Sequence, residues 1–503
     1  MSAPEIAPLL PPADLERLGT ALAGYTADGV DEALGLVGRA ALGRVDLRGA
    51  ERALTDTGPL ATLVRLFVLG LVVPEAQARA ALDPLPLDRA VTAGLLDTSA
   101  GETRARLDIR PYADGWWVVS DFGSDVHPGP LPADHVLGVG AASLTLAQAT
   151  PRDPVGRALD LGTGCGVQAL HLGRHAGEVV ATDVSARALR FAATTAALSG
   201  QAWDLRSGSL LDPVAGERFD LVVANPPFVV SPGGTGYDYR DSGLAGDGVS
   251  RELITSLPDH LTAGGTAQLL ANWVVSADGD WTDRVNGWLA GRGCDAWVWQ
   301  REVAEPGEYI GLWLRDAGET PGTPSWNRQY DTWLDWFAAA GILAVGMGLV
   351  TLWRSDAADP VLVLEDVPQA VEQPIGPHLP AWIARQRWLT ETADDRLLAA
   401  RLEAAPGLVR ERSDLVGTDG WETAASRLRQ SYGLRWEVEV DDAVAALVAG
   451  CDGRQALGPV LALLADAVGH PADEVTEALL PVVRDLVGRG FLAPSPAVGG
   501  PSR

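Results

Sequence analysis

From about residue 157 to 353 the chain alternates short apolar runs with stretches whose apolar residues fall at helical spacing. Arg157–Leu161, Glu178–Thr182, Trp203–Arg206, Leu221–Ala224, Gly265–Val275, Ala296–Val303 and Gly348–Trp353 read as strands. Helices are expected over Val167–Arg174, Ser185–Leu198 and Val249–Leu261, with Ser185 as a good N-cap. Apolar strands that alternate with helices predict an α/β fold with a doubly wound, mostly parallel, seven-stranded sheet. Trp326, Tyr330, Trp333 and Phe337 make a stripe at helical spacing, the pattern of a packing face.

The pattern changes on both sides of this region. Residues 1–124 read as mainly helical, with helices beginning near Asp14 and covering Ala61–Gly70, Pro74–Leu82 and Leu87–Ala93. Arg104–Tyr112 and Trp116–Ser120 flank Ala113-Asp114-Gly115, a hairpin signal. Helices followed by a hairpin predict a winged-helix-like unit. Residues 356–380 are proline-dotted and extended, as a linker is. Residues 381–503 read as a second helical, winged-helix-like domain. It has one short strand at Arg435–Val440, helices over 441–449, 457–468 and 472–489, a closing strand at Phe491, and a tail of disordered composition. The sheet domain is then expected to occupy residues 125–355.

Composition narrows the function classes. A chain of 503 residues that is 47% hydrophobic supports more than one domain core. No run of twenty apolar residues is found, so neither a membrane span nor a membrane partner is expected. Met1–Pro12 lacks the basic-then-apolar order of a signal peptide. Cys165, Cys294 and Cys451 lie far apart, which argues against disulfides or a zinc site and for a cytoplasmic location. The formal charge is −27, and all 39 basic residues are Arg. Phosphate repulsion therefore opposes indiscriminate nucleic-acid binding, although a local basic face stays open. Arg and acidic residues nearly balance between 385 and 435.

Three strand ends carry candidate chemistry. Asp160-Leu-Gly162-Thr163-Gly164-Cys165-Gly166 joins the first strand to its helix. Glycines there permit tight turns and close approach of a ligand to the backbone. The third glycine of the dinucleotide pattern is missing, and the entering Asp160 suits a ligand with a positive amino group better than a pyrophosphate. Asp183, at the end of the second strand, is placed to accept hydrogen bonds from ribose hydroxyls, with Val184 beside it. The strand Leu221–Ala224 stops at Asn225-Pro226-Pro227-Phe228, because neither proline can donate to a ladder. That loop holds an amide, a carbonyl and an aromatic ring together at a strand's carboxyl end.

The three motifs in this order resemble the Rossmann-like S-adenosylmethionine-dependent methyltransferases. Asn-Pro-Pro-Phe is similar to the branch that methylates amide or exocyclic amino nitrogens, and the segments Asn225–Pro232 and Gly243–Gly248 look like the HemK/PrmC "small-domain" group. The resemblance implies S-adenosyl-L-methionine as cofactor. Asp160, Gly162, Thr163, Gly164 and Gly166 would hold its methionine part, Asp183 and Val184 its ribose, and Ser209 and Leu210 its adenine. It also implies that Asn225 and the Pro226 carbonyl accept the two N–H bonds of the acceptor nitrogen, with Pro227 stiffening the loop and Phe228 stacking on the planar group. The implied acceptor is a protein glutamine side chain, or alternatively an RNA or DNA base. Asp134–Ser143 departs from the Pro- and acid-rich motif of that group. The C-terminal segment loosely resembles PqqD-type peptide-binding modules, so a peptide-tailoring enzyme or a non-catalytic binding module also stays open.

Overall fold

The computed structural model describes residues 6–113, 115–127, 129–233, 243–277, 279–355, 357–418 and 420–495. Asp114 of the hairpin turn and the tail beyond 495 lie outside them. The chain divides into two compact units, residues 1–147 with 153–367 and residues 148–152 with 368–503.

The first unit is built on an eight-stranded sheet. Its strands are β1 (Val155–Leu161), β2 (Ala176–Asp183), β3 (Asp204–Ser207), β4 (Phe219–Ala224), β5 (Leu261–Ser276), β6 (Cys294–Ala304), β7 (Ile342–Arg354) and β8 (Leu362–Asp366). They lie in the order β8-β6-β7-β5-β4-β1-β2-β3. The first five strands are mutually parallel where they pair. β7 runs antiparallel between β5 and β6, and β8 is parallel to β6. This is the doubly wound, mostly parallel α/β sheet expected from the periodicity, with one strand more. The eighth strand, β8, lies in the stretch that the prolines assign to a linker. It is a half-exposed edge strand, where a proline just outside the ladder is tolerated.

Helices α1 (Val167–Leu172), α2 (Ala186–Leu198), α3 (Gly248–Ser256), α4 (Pro306–Asp316) and α5 (Pro324–Ala339) follow β1, β2, β4 and β6. On α5 the aromatic stripe is buried: Phe337 is 0% exposed, and Trp326 and Trp333 pack with Tyr309 of α4 and with Val229 and Val230. Ser185 caps α2 by accepting from the Ala188 N–H at 3.3 Å.

The N-terminal segment shares this unit's core. Leu18, Phe67, Ile109 and Val119 belong to one apolar cluster with Cys165, Leu170 and Phe191. Polar contacts fasten it to α2: the Val119 N–H donates to Thr195 Oγ1 at 3.1 Å and the Leu9 N–H to Thr194 Oγ1 at 2.9 Å. Two helices escape the sequence pattern, Ala27–Leu42 and Leu47–Ala53. The first is interrupted at Gly35, whose φ of +60° breaks the helical period. Instead of one hairpin there are two, Leu96–Ser99 with Glu102–Ala105 and Asp108–Tyr112 with Trp116–Ser120.

The second unit holds helices at 442–450, 457–468 and 472–488, within a residue of those expected, and also six strands among the described residues. Leu408–Gly417 and Gly420–Gln430 form a long hairpin with Glu437–Glu439 alongside, in place of the mainly helical reading. The hairpin's outer half is exposed on both faces, with Leu415, Val416 and Trp421 standing in solvent, so its apolar residues mark no buried face to read. No helix among the described residues is long and apolar enough to cross a membrane.

Candidate active site

Parallel strands β1 to β4 present their carboxyl ends at one edge of the sheet, so the motifs that follow them converge there. A cavity of about 690 Å³ opens at this edge. Its wall includes Gly162, Thr163 and Gly164 after β1, Asp183 and Val184 at β2, Ser209 and Leu210 after β3, and Asn225 to Phe228 after β4.

The glycine turn is held by its own strand ends. Gly162 and Gly164 have φ of +73° and +55°, a region that favours residues without a Cβ. The N–H groups of Gly162 and Thr163 both donate to the Thr182 carbonyl, at 3.0 and 2.8 Å. Gly166 lies outside the cavity wall. A Cβ there would sit 2.6 Å from the Trp203 ring, so this glycine serves close packing of the turn. Cys165 is buried and its thiol is pushed up to about 12 by desolvation, which leaves it a packing group.

Asp160 also lies outside the cavity wall, at 1% exposure. Its Oδ2 accepts from Thr163 Oγ1 at 2.7 Å and from the Ala169 N–H at 2.9 Å, so this carboxyl joins the turn to α1. Burial pushes it from its ordinary 3.8 up to about 7. The folded chain therefore retains a proton that the unfolded chain releases, and the associated stability is lost as pH rises from 3.8 through about 7. Both bonds use one oxygen, which an amide supplies without charge. Asp160→Asn is expected to melt above the native chain at pH 8, by on the order of 5 °C, with the gap closing toward pH 4. Thermal melts by circular dichroism across that range check this, and a gap independent of pH contradicts it.

Asp183 is half-buried and ties two motifs together. Its Oδ2 accepts from the Gly164 N–H and its Oδ1 from the Ser185 N–H, both at 2.8 Å, while its carbonyl accepts from Gly208 at 3.0 Å. Its carboxylate thus joins the glycine turn to the start of α2 at the cavity wall. Leu210 is held at φ +43°, a left-handed conformation uncommon for leucine, and this turns the loop after β3 along the cavity.

At β4 the loop tightens at once. The Phe228 N–H donates to the Pro226 carbonyl at 2.8 Å, closing a three-residue turn that leaves this carbonyl one lone pair. Asn225 is half-buried, and among the described residues no partner meets its carboxamide. Phe228 meets Trp313 of α4 edge to face at 6.1 Å between centroids. Behind the loop, Tyr309 Oη accepts from the Val230 N–H at 2.9 Å and from Asn272 Nδ2 at 2.8 Å. The loop is thus braced by α4 and β5, with Asn225 in the cavity wall.

The rest of the wall includes residues that carry no linear signature. Asp108 and Arg110 of the second N-terminal hairpin, His135, and Trp313 with Asp316 on α4 all line the cavity. Asp121 accepts from the Val136 N–H at 2.9 Å and pairs with Arg187 on α2, which anchors the crossing segment. His135 is buried, and desolvation holds its pKa below the ordinary value. Only the strand alternation around Asp108 and Arg110 could have suggested that both lie on one face.

Comparison with known proteins places the chain among methyl-transferring folds. Residues 137–278 match a family model described as methyltransferase small domain. Residues 22–106 and 380–494 match two models described as domains of unknown function. The ribosomal RNA small subunit methyltransferase C of Cronobacter sakazakii is 32% identical over 179 residues, 34% of this chain and 48% of its own length. Its counterpart in Alcanivorax borkumensis is 35% identical over 117 residues, 23% of this chain and 32% of its own. The release factor glutamine methyltransferase of Xylella fastidiosa is 41% identical over 129 residues, 23% of this chain and 47% of its own. The chain spans about half or less of the length of these relatives.

Proposed function

We propose that this chain, a methyltransferase small-domain protein over residues 137–278, is an S-adenosylmethionine-dependent N-methyltransferase acting on an exocyclic amine of a base in ribosomal RNA. One observation carries the reaction type. Asn225 and Pro226 end the central strand β4 at the wall of the cavity that the glycine turn and Asp183 also line. These residues fit the cofactor: the glycine backbone suits close approach, Asp183 suits two hydroxyls, and the half-exposed loop at Ser209 and Leu210 suits a flat base. When bound, S-adenosylmethionine supplies an electrophilic methyl group.

The chain's own residues prepare the nitrogen. A planar arylamine or amide nitrogen delocalises its lone pair and attacks poorly. Asn225 Oδ1 accepts one of its N–H bonds, and the remaining lone pair of the Pro226 carbonyl accepts the other. Two acceptors on one side draw the nitrogen toward a pyramidal geometry and aim its lone pair at the methyl. Phe228, braced by Trp313, stacks on the planar group and fixes its angle. The nitrogen would gain the methyl as the methyl–sulfur bond of the bound sulfonium breaks and leaves a neutral thioether, and the proton that the nitrogen gives up would go to solvent. Its acidity after methylation makes a strong base unnecessary.

Relatives named for ribosomal RNA methylation favour the base amine as acceptor. A second reading, a protein glutamine amide, is favoured by the formal charge of −27, which repels phosphate, and by the relative named for release factors. The full chain is incubated with undermethylated small ribosomal subunits, release factors and labelled S-adenosylmethionine. Label released by nuclease supports the first reading, and label released only by protease replaces it with the second. No label in either fraction contradicts both.

A further inference from the structure

Asp108 and Arg110 lie two residues apart on the strand Asp108–Tyr112, and both line the cavity that the glycine turn lines. Arg110 Nη2 pairs with Asp108 Oδ2 at 2.8 Å. Asp108 is 7% exposed, yet its Oδ1 has no hydrogen-bond partner among the described residues, and neither has the buried Nε of Arg110. Buried charged groups are ordinarily hydrogen-bonded to capacity, because each unmet atom carries its full desolvation cost. Desolvation accordingly pushes the Asp108 carboxyl up to about 6. Those two atoms are closed off even from water, so it is the rest of the pair, with the Arg110 side chain 41% exposed, that meets the cavity. Asp108 also lies near enough to the glycine turn for its charge to help hold the Cys165 thiol up. Asp160, the group expected to meet a positive amino group, is 1% exposed and lies outside the cavity wall.

We propose that Asp108 and Arg110 hold the α-amino-acid end of S-adenosylmethionine, Asp108 accepting from the ammonium and Arg110 donating to the carboxylate. A zwitterion of that kind is matched charge for charge by the pair, and its amino-acid end adds no net charge beside it. The inference rests on the methyltransferase reading, and it makes the N-terminal segment part of the cofactor site. Arg110 is held by a neighbouring acid, as its raised pKa reflects, so its charge is present at all working pH values.

Calorimetry with two ligands tests it. S-adenosylhomocysteine carries the amino-acid end, and 5′-methylthioadenosine lacks it. In the full chain, Arg110→Gln and Asp108→Asn are each expected to weaken S-adenosylhomocysteine by roughly 10- to 100-fold, the scale of one charge-assisted hydrogen-bond set. Both variants are expected to bind methylthioadenosine within about twofold of the native chain. Equal losses for both ligands, or no loss for either, overturn the proposal. If Asp108→Asn fails to fold, the half-exposed Arg110 decides alone. A native chain that binds neither ligand removes the methyltransferase reading itself, an outcome distinct from a native chain that binds both while the variants discriminate neither.

Discussion

Asn225→Ala is expected to lower methyl transfer by on the order of 10²–10³-fold while leaving S-adenosylmethionine affinity within about twofold, the pattern for a group that acts on the transition state alone. Asn225 ends β4, and the carboxamide is the one polar side chain of the loop. Removing it leaves the Pro226 carbonyl, which already shares its oxygen with the Phe228 N–H. One acceptor cannot hold both N–H bonds, so the nitrogen stays planar and its lone pair stays delocalised. The fold tolerates the change, because the loop is braced by Tyr309 through the Val230 N–H and by the Phe228–Trp313 contact. Asn225→Asp offers two acceptor oxygens but adds a charge beside a developing cation, so it is expected to recover part of the rate. Single-turnover rates at saturating cofactor check both variants, and a fully active Asn225→Ala removes the loop from the chemistry.

The second large effect is on cofactor binding. Asp183→Ala is expected to weaken S-adenosylmethionine by on the order of 100-fold, from two lost hydrogen bonds to a charged acceptor. It breaks two contacts inside the protein as well, to the N–H groups of Gly164 and Ser185. The glycine turn is also held by the Thr182 carbonyl, so it loosens without unfolding. Asp183→Asn keeps an acceptor oxygen for one N–H and is expected to fall between the native chain and the alanine variant. Calorimetric affinities set against melting temperatures separate the two effects. An affinity unchanged in Asp183→Ala, with the fold intact, contradicts the role given to this carboxylate.

Most of the sheet, and the meeting of the glycine turn, Asp183 and Asn225 at one cavity, was legible because both are local. An apolar run, a glycine turn and an acidic strand end are each written in consecutive residues, and parallel pairing brings their ends together without further information. Asp160 shows the limit of such reading. Its position in the motif is plain, but only the structure shows that its carboxyl faces Thr163 and Ala169 and not the cavity. Asp108, Arg110 and Trp313 reach the cavity through tertiary packing across long sequence separations, and a periodicity cannot record that. β8 was hidden for a different reason: a short, half-exposed edge strand between prolines has the composition of a linker. The long hairpin of the second unit was hidden because both its faces meet solvent over the outer half. The Asp419-Gly420 dipeptide was the turn signal that could have exposed it.

The atom that receives the methyl group tests the account most directly. Acceptor labelled by the full chain is digested to nucleosides or amino acids and resolved by mass spectrometry against standards. The account predicts the label on a planar nitrogen, an exocyclic base amine first and a glutamine amide second. Label on a ring carbon, a ribose hydroxyl, a carboxylate or a sulfur, transferred at a rate that Asn225→Ala leaves unchanged, would contradict it.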